Sequence, residues 1–276
     1  MEQRSEMKWQ TLWRKYTAEP KHRIRLALVA ALVLALTVIL VRTAGPSFAP
    51  LPDMHSYHTV PERKAAFFNY LRPIVEFHNN KILEDRHKLL AIASKFDVSG
   101  QISWWDKRWL KRLVNEYNVE WNTGSVSESL TTLKRRVDII PTPLALVQAA
   151  KESGWGRSRF AVHGNGLFGQ WCFEPGCGMV PKNRSVKAQH EVQTFPTVSH
   201  SVAGYLKNVN TDARYRPLRM IRQQLREAGK TPDGLSLADG LLFYSERRQA
   251  YVDEVKKMLR RYRAQQQALV INEKTP

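Results

Sequence analysis

The sequence predicts a mainly helical α+β protein, and three observations support that fold class. Apolar residues recur at three- and four-residue steps through most of the chain after residue 60, which is the spacing of amphipathic helices. A glycine-rich stretch at residues 164–200 interrupts this pattern and predicts a small β-hairpin lobe. A long apolar run near the N-terminus predicts one further helix that precedes the others.

The composition excludes several classes of protein. The chain has 276 residues, of which 43% are hydrophobic and 10% aromatic, so it is neither a disordered chain nor a collagen-like one. Two cysteines are too few for a disulfide-dense scaffold. The net charge of +18 indicates polyanionic surroundings, which nucleic acid, anionic lipid or an acidic cell-envelope polymer would provide.

The N-terminal segment is predicted to be an uncleaved signal-anchor. The apolar run at residues 26–41, with its flanks, predicts a transmembrane helix at residues 23–42. Basic residues are concentrated before it, which predicts a cytoplasmic tail at residues 1–22 and a single-pass protein of the inner membrane whose C-terminal part is exported. A cleaved signal peptide and a buried core helix are the alternatives, although Pro50 disfavours cleavage at the small-residue site before it.

This topology argues against a nucleic-acid partner. Residues 1–49 carry eight basic and three acidic residues, so +13 of the charge belongs to the exported part. That part has no zinc-ligand spacing, recognition-helix pattern or RNA-binding signature. The expected partners are therefore envelope polymers and, through residues 23–42, the lipid of the inner membrane.

The exported part is predicted to begin with a linker and a helical extension. Prolines make residues 43–60 an extended linker, and a helical extension is expected at residues 61–135. Within the extension, Ser103 is expected to cap one helix, and Ser125 with Glu128 is expected to form a capping box on the next.

The main domain is predicted at residues 136–267, with a flexible tail at residues 268–276. Its first helix is expected to have Thr142 as N-cap and Pro143 at the first helical position, and to end near Gly154 or Gly156. Later helices are expected at about residues 198–210, 215–228, 235–243 and 249–267.

Glu152 is the strongest candidate for a chemical role. It ends a mostly apolar helix, where the carboxylate is poorly solvated and meets the negative end of the helix dipole. Both effects raise the pKa of the carboxyl, which is the property that a general acid needs to protonate a glycosidic oxygen near neutral pH. An ordinary surface glutamate at a helix end is the alternative.

Two neighbouring motifs give Glu152 a context. KESGWG at residues 151–156, followed by NGLFGQW at residues 165–171, resembles the glucosaminidase family of lysozyme-like peptidoglycan hydrolases (glycoside hydrolase family 73), especially its bacterial Bax-type branch. The resemblance spans most of residues 51–262. It implies a lysozyme-like domain and an endo-β-N-acetylglucosaminidase that hydrolyses β-1,4 bonds in the glycan strands of peptidoglycan.

The resemblance also implies roles for individual residues. Glu152 matches the catalytic acid, and Tyr244 is expected to polarise the N-acetyl group or to position the substrate, although residues 245–248 depart from the family pattern around it. The substrate-binding residues implied in the same motifs are Trp155, Asn165, Leu167, Phe168, Gly169, Tyr205 and Tyr251. For Tyr205 a structural role is the alternative.

The second catalytic group is left open by the sequence. Glycosidases usually pair the acid with a base or a nucleophile. Flagellar relatives carry a second glutamate in the β-lobe, and Glu191 has about the matching offset here, with Glu174 as the other candidate. Substrate assistance by the 2-acetamido group needs no such residue. A weakly active peptidoglycan-binding scaffold and a lytic transglycosylase are the alternative functions.

The two cysteines lie close together in the predicted lobe. Four residues separate Cys172 from Cys177, and Pro175-Gly176 forms a turn between them. In an oxidising compartment they are expected to form a disulfide, with free thiols as the alternative. Two cysteines without a nearby histidine pair do not make a metal site, so neither a metal nor another cofactor is expected.

Overall fold

The structure is a computed structural model that describes residues 20–43, 46–182, 184 and 188–274. Side chains at residues 36, 38–43 and 269–274 lie outside the described part. The chain divides after Ala49 into two compact units. The first unit contains helix α1 (Pro20–Thr43), and the second contains all the other described helices and strands. The mainly helical α+β class predicted from the sequence is confirmed.

Helix α1 covers the predicted membrane segment. Most of its described large apolar side chains are more than half exposed, among them Leu28 and Leu34. Within the described residues, no helix combines the length and the apolar character that crossing a bilayer requires. The transmembrane helix predicted at residues 23–42 is therefore not supported, and most of the predicted cytoplasmic tail, residues 1–19, lies outside the described residues.

Three helices form the predicted extension: α2 (Val60–Ser99), α3 (Trp104–Glu116) and α4 (Val126–Arg136). Helix α2 begins with a capping box, because the Thr59 hydroxyl accepts from the Glu62 backbone N–H and the Glu62 carboxylate accepts from that of Thr59. Ser103 caps α3, as predicted, by accepting from the backbone N–H of Asp106.

The capping box predicted for α4 is not formed. Ser125 occupies the N-cap position, but its side chain makes no capping hydrogen bond. Its backbone N–H, which Glu128 would bind in a capping box, donates instead to the Asn122 carbonyl Oδ1 at 3.2 Å. The preceding Asn122 turn therefore takes the place of the predicted box.

Helix α2 is a single 40-residue helix that contributes to two hydrophobic cores. Phe67, Phe68 and Leu71 in its N-terminal half are buried in the core of the main domain. Leu89 and Ile92 in its C-terminal half belong to a second core, which α3 and α4 complete. The extension is thus packed along the main domain by one continuous helix.

Within its described residues, the main domain has six α-helices and a small sheet. The helices are α5 (Thr142–Glu152), α6 (Arg159–Gly164), α7 (Val198–Thr211), α8 (Arg216–Glu227), α9 (Gly234–Ala238) and α10 (Gln249–Lys274). Pro141, rather than Thr142, is the N-cap of α5. Helix α10 continues to Lys274, so the tail predicted at residues 268–276 is helical up to that residue.

The β-lobe is a three-stranded antiparallel sheet. Its strands are β1 (Trp171–Cys172), β2 (Gly178–Met179) and β3 (Glu191–Gln193), in the order β1-β3-β2. The last strand is therefore central, and the lobe is not the simple hairpin that the sequence predicts. A Cβ atom at Gly178 would overlap the backbone carbonyl of Val192 on β3, so this close pairing requires glycine.

A buried carboxylate fixes the chain just before α5. Asp138 is 2% exposed and lies within ion-pair distance of three arginines: Arg226 at 2.9 Å, Arg86 at 3.5 Å and Arg222 at 3.8 Å. Burial alone would raise the pKa of Asp138, but the hydrogen bond from Arg226 and the three positive charges outweigh it and lower the pKa. The cluster joins α2 and α8 to the segment from which α5 starts.

We expect Asp138→Asn to lower the free energy of unfolding by about 3–5 kcal/mol at neutral pH, because it leaves the arginine charges without a buried counter-ion. The control is Asp85→Asn, which removes the same charge from an exposed pair with Arg112 and should cost about 1 kcal/mol or less. Chemical denaturation measures both.

The pH dependence gives a second check on this cluster. The folded-state pKa of Asp138 is lowered, so its contribution to the free energy of unfolding is present above the ordinary aspartate pKa. That contribution is lost as the pH falls through the lowered value. If Asp138→Asn and Asp85→Asn lowered the free energy of unfolding equally at neutral pH, the stabilising role given to the Asp138 cluster would be contradicted.

Candidate active site

Helix α5 carries Glu152 at its C-terminal end. Every residue from Leu144 to Ala150 is buried with no measurable exposure, and the helix packs between α2 and α10. Glu152 is the last helical residue and is partly exposed. Burial raises its pKa, and this effect exceeds the opposing effects of a hydrogen bond from Tyr251 and of the charge on Lys151. The carboxyl thus has the property expected of a general acid.

The turn after Glu152 leaves the helix sharply. Gly154, Trp155 and Gly156 all have positive φ angles, of 59°, 62° and 77°. The Ser153 hydroxyl donates to the Ala149 carbonyl at 2.6 Å and accepts from the Gly156 N–H at 2.8 Å, which holds the turn from inside. This ESGWG turn therefore fixes where the helix stops and hence where Glu152 lies.

Gly156 also allows the predicted linker to pack against the turn. A Cβ atom at this position would come within 2.9 Å of Met54 Cγ and 3.2 Å of the Phe67 ring. Met54 is 1% exposed, so this part of the linker belongs to the core.

Trp155 packs on helix α2. Its ring meets Phe67 and Phe68 edge-on, with centroid distances of 6.0 and 5.1 Å. The Lys64 Nζ atom lies 5.0 Å from the ring centroid. Trp155 therefore packs on α2, and a sugar that stacked on the same face as Lys64 would have to displace this lysine.

A chain of hydrogen bonds reaches Glu152 from the core. The Tyr205 hydroxyl donates to Gln148 Oε1 at 2.6 Å, and Gln148 Nε2 donates to the Tyr251 hydroxyl at 3.2 Å. The Tyr251 hydroxyl in turn donates to Glu152 Oε1 at 2.9 Å. Because Gln148 supplies a donor to Tyr251, the tyrosine hydrogen is directed at the carboxyl. The other oxygen of Glu152, Oε2, is left to carry the proton.

Gln148 is a site residue that the motif analysis does not single out. It lies four residues before Glu152 and therefore on the same face of α5. It is fully buried within an otherwise apolar run. A lone amide side chain at this spacing was the available signal in the sequence.

The two tyrosines of the late segment make different contacts. Tyr251, predicted to bind substrate, is the one that contacts Glu152, and it is 2% exposed. Tyr244, predicted to assist catalysis, donates its hydroxyl to the Phe168 carbonyl at 3.0 Å. The rings of Tyr244 and Tyr251 stack with a centroid distance of 4.9 Å. Tyr244 thus supports Tyr251 and ties it to the NGLFG turn.

The NGLFG turn, residues 165–169, lies beneath this group of tyrosines. Asn165 has a φ of 52° and donates from Nδ2 to the Phe195 carbonyl at 2.9 Å. Leu167 and Phe168 are 0% and 3% exposed, and Phe168 stacks on Tyr205 with a centroid distance of 3.9 Å.

Burial decides which predicted substrate-binding residues can reach a polymer. Leu167, Phe168, Tyr205 and Tyr251 have almost no exposed surface, so the structure makes them a supporting layer for the site. Gly169 is exposed, with a φ of 63°, and provides open backbone at the end of the NGLFG turn.

The β-lobe places Glu191 on the backbone of the cysteine loop. Its Oε1 and Oε2 atoms accept from the N–H groups of Gly176 at 3.2 Å and Gly178 at 2.8 Å. These two hydrogen bonds lower the pKa of Glu191. Both carboxylate oxygens of Glu191 therefore already accept hydrogen bonds from the backbone. The residue that the sequence offers as a second catalytic carboxylate thus holds the loop in this structure. Glu174, the other candidate, is exposed in the same loop.

Cys172 and Cys177 form a disulfide, the pairing that the sequence predicts. Their sulfurs and the Glu191 carboxylate lie within 4.8 Å of one another. Disulfide sulfurs are not thiolates, so this group does not suit a metal ion. It closes the loop that Glu191 holds.

An ion-pair network surrounds the base of the site. Glu254 on α10 pairs with Lys151 through Oε2 and with Arg247 through Oε1. The two cations lower the pKa of Glu254 to about 2, with the hydrogen bond from Arg247 as the largest cause. Arg247 belongs to residues 245–248, which depart from the family pattern. Its ion pair with Glu254 connects this segment to α10.

A mainly helical domain with a small β-lobe and a partly buried carboxyl of raised pKa has the features of a glycosidase-type enzyme. Residues 127–264 match the glucosaminidase family, described as mannosyl-glycoprotein endo-beta-N-acetylglucosaminidase. The chain is also 34% identical to Protein bax of Escherichia coli (strain K12) over 201 residues, which are 73% of this chain and 70% of that protein. No solved structure matches it. The chain belongs to the glucosaminidase family, and within it to the Bax type.

The ion-pair network predicts a shift in the pH dependence of activity. Glu254→Gln removes the carboxylate that offsets Lys151, whose charge lowers the pKa of Glu152. We expect that pKa to fall, and the alkaline limb of the pH–rate profile on cell-wall glycan to move to lower pH by roughly 0.3–1 unit.

The matched control is Glu246→Gln, which makes the same charge change at an exposed position of the preceding turn. It should leave the profile in place. An upward movement of the limb in Glu254→Gln, or the same shift in both variants, would contradict the role given to Lys151.

Proposed function

We propose that the chain is a peptidoglycan hydrolase of the endo-β-N-acetylglucosaminidase type, which cleaves β-1,4 bonds of glycan strands with Glu152 as general acid. The observation that carries the proposal is the raised pKa of Glu152, at the end of a buried helix in a chain of the glucosaminidase family. A carboxyl whose pKa is raised keeps its proton to a higher pH, and it can then donate that proton to the leaving glycosidic oxygen.

Tyr251 fits a role as the group that stabilises Glu152 after proton transfer. Its hydrogen bond favours the carboxylate over the acid, so the bond strengthens as the proton leaves Glu152. Burial raises the pKa of Tyr251, which keeps the hydroxyl protonated and able to donate. The bond also fixes the orientation of the carboxyl towards the substrate.

For the second catalytic group, the geometry favours assistance by the substrate. Glu191 would have to release two backbone hydrogen bonds before it could act as a base or a nucleophile. A 2-acetamido group can attack the anomeric carbon from within the substrate and needs no second carboxylate, as in some glycosidase families. In this step the acetamido oxygen forms a bond to the anomeric carbon while the glycosidic C–O bond breaks, and Glu152 gives its proton to the leaving oxygen. Water then opens the cyclic intermediate at the anomeric carbon.

The disulfide supports a place of action outside the cytoplasm. Such bonds persist in oxidising compartments, where peptidoglycan also lies. The +13 charge of residues 50–276 suits a polymer that carries carboxylates.

Digestion of purified cell wall tests the proposal through the ends it produces. The wild-type protein should release muropeptides with reducing N-acetylglucosamine ends, detected by mass spectrometry. Glu152→Gln should lower this rate by about 10²–10⁴-fold, because the isosteric amide donates no proton to the leaving group. The control Glu174→Gln changes an exposed lobe glutamate and should keep wild-type turnover.

The other outcomes separate the alternatives. Anhydro-muramyl ends would show a lytic transglycosylase, and binding without new ends would show a scaffold protein. Wild-type turnover in Glu152→Gln would remove Glu152 from the mechanism.

A further inference from the structure

The extension contains an open cavity of about 880 Å³ that has no part in the proposed catalysis. All of its lining residues fall between Phe96 and Val126, from the end of α2 through α3 to the start of α4. The site around Glu152 uses residues from Gln148 onwards. The cavity is therefore separate from the candidate active site.

The wall of the cavity is mostly apolar. Leu110 and Val114 of α3 form its buried side and belong to the second core. Phe96, Trp121 and Val126 lie around them and remain partly exposed to the open space. Apolar side chains at a core edge normally close over one another, and a volume of this size is typical of small-molecule sites.

Two lysines give the cavity one charged side. Lys107 and Lys111 are one helical turn apart on α3, and both line the opening. Neither makes an ion pair within the part of the chain that the structure describes, although the neighbouring Arg112 pairs with Asp85 and Glu116. Asp106, the nearest acidic residue on α3, accepts a hydrogen bond from the Ser103 hydroxyl. The rim is thus complementary to an anion and the interior to a hydrocarbon.

We infer that this cavity binds an amphiphilic anion: one acyl chain inside, with its carboxylate or phosphate head beside Lys107 and Lys111. A free fatty acid and an anionic lipid share this chemistry. The volume, the apolar wall and the two lysines on one side carry the inference together, and it does not depend on the proposed glycosidase activity.

Isothermal titration of the full-length protein with monomeric octanoate, decanoate and dodecanoate tests the apolar interior. The affinity should rise by about fourfold for each added methylene, because each one is removed from water on binding. An affinity that does not change with chain length would overturn the inference.

Paired variants test the charged rim. Lys107→Glu/Lys111→Glu should weaken decanoate binding by roughly tenfold or more, since it replaces two cations that face the head group. Lys230→Glu/Lys257→Glu makes the same total charge change at exposed positions outside the cavity and should leave the affinity unchanged. Circular dichroism and thermal unfolding verify that each variant is folded.

A third variant tests the position of the acyl chain. Thr123→Trp adds bulk at an exposed lining position. The turn around it is held by the Gly124 and Ser125 N–H groups, which donate to Asn122 Oδ1, so the fold should tolerate the substitution. It should abolish decanoate binding while circular dichroism and thermal unfolding show that the fold is kept. Unchanged binding in Thr123→Trp, or equal weakening by both lysine pairs, would overturn the inference.

Co-sedimentation with phosphatidylglycerol vesicles distinguishes the two sources of the ligand. Decanoate binding without vesicle binding supports a free fatty acid. Vesicle binding that Thr123→Trp removes supports a membrane lipid. If neither probe binds, or if the wild type instead dimerises and Thr123→Trp prevents this, the cavity is not a site for an amphiphilic anion.

Discussion

The hydrogen bond from the Tyr251 hydroxyl to Glu152 joins two helices that are about one hundred residues apart in the chain, and the candidate site is organised around it. Burial favours the protonated form of Glu152, and the tyrosine favours the carboxylate. These opposed effects keep the carboxyl titratable and oriented. Tyr251 can hold this position only because Gln148 directs its hydroxyl and Tyr244 packs against its ring. The site therefore depends on how α5 and α10 meet.

Both ends of α5 are fixed by contacts that reach other parts of the fold. The Asp138 cluster fixes the segment before the helix through arginines of α2 and α8. The ESGWG turn fixes its C-terminal end, where Gly156 admits Met54 and Phe67 at close range. Between these points, residues 144–150 of the helix are fully buried. A helix held in this way can carry a partly desolvated carboxyl without tilting it into solvent, since movement would disturb both ends.

The sequence predicted those features that depend on short-range patterns. The apolar run before Glu152 predicted its burial and the direction of its pKa shift, and the cysteine spacing predicted the disulfide. Long-range geometry was not predictable in the same way. Tyr244 and Tyr251 both match the family segment, and which of them meets Glu152 depends on how α10 and the turn before it pack against α5. The position of Glu191 follows from the register of β3 beside the cysteine loop, which the sequence does not encode locally.

The titration of Glu152 tests the account most directly. Carbon-13 NMR of the side-chain carboxyl groups, with Glu152→Gln to assign the signal, measures its pKa in the folded protein. The account predicts a value above the ordinary 4.5, and a further rise in Tyr251→Phe, which removes the hydrogen bond that favours the carboxylate. A value at or below 4.5 in the wild-type protein would contradict the assignment of Glu152 as a general acid.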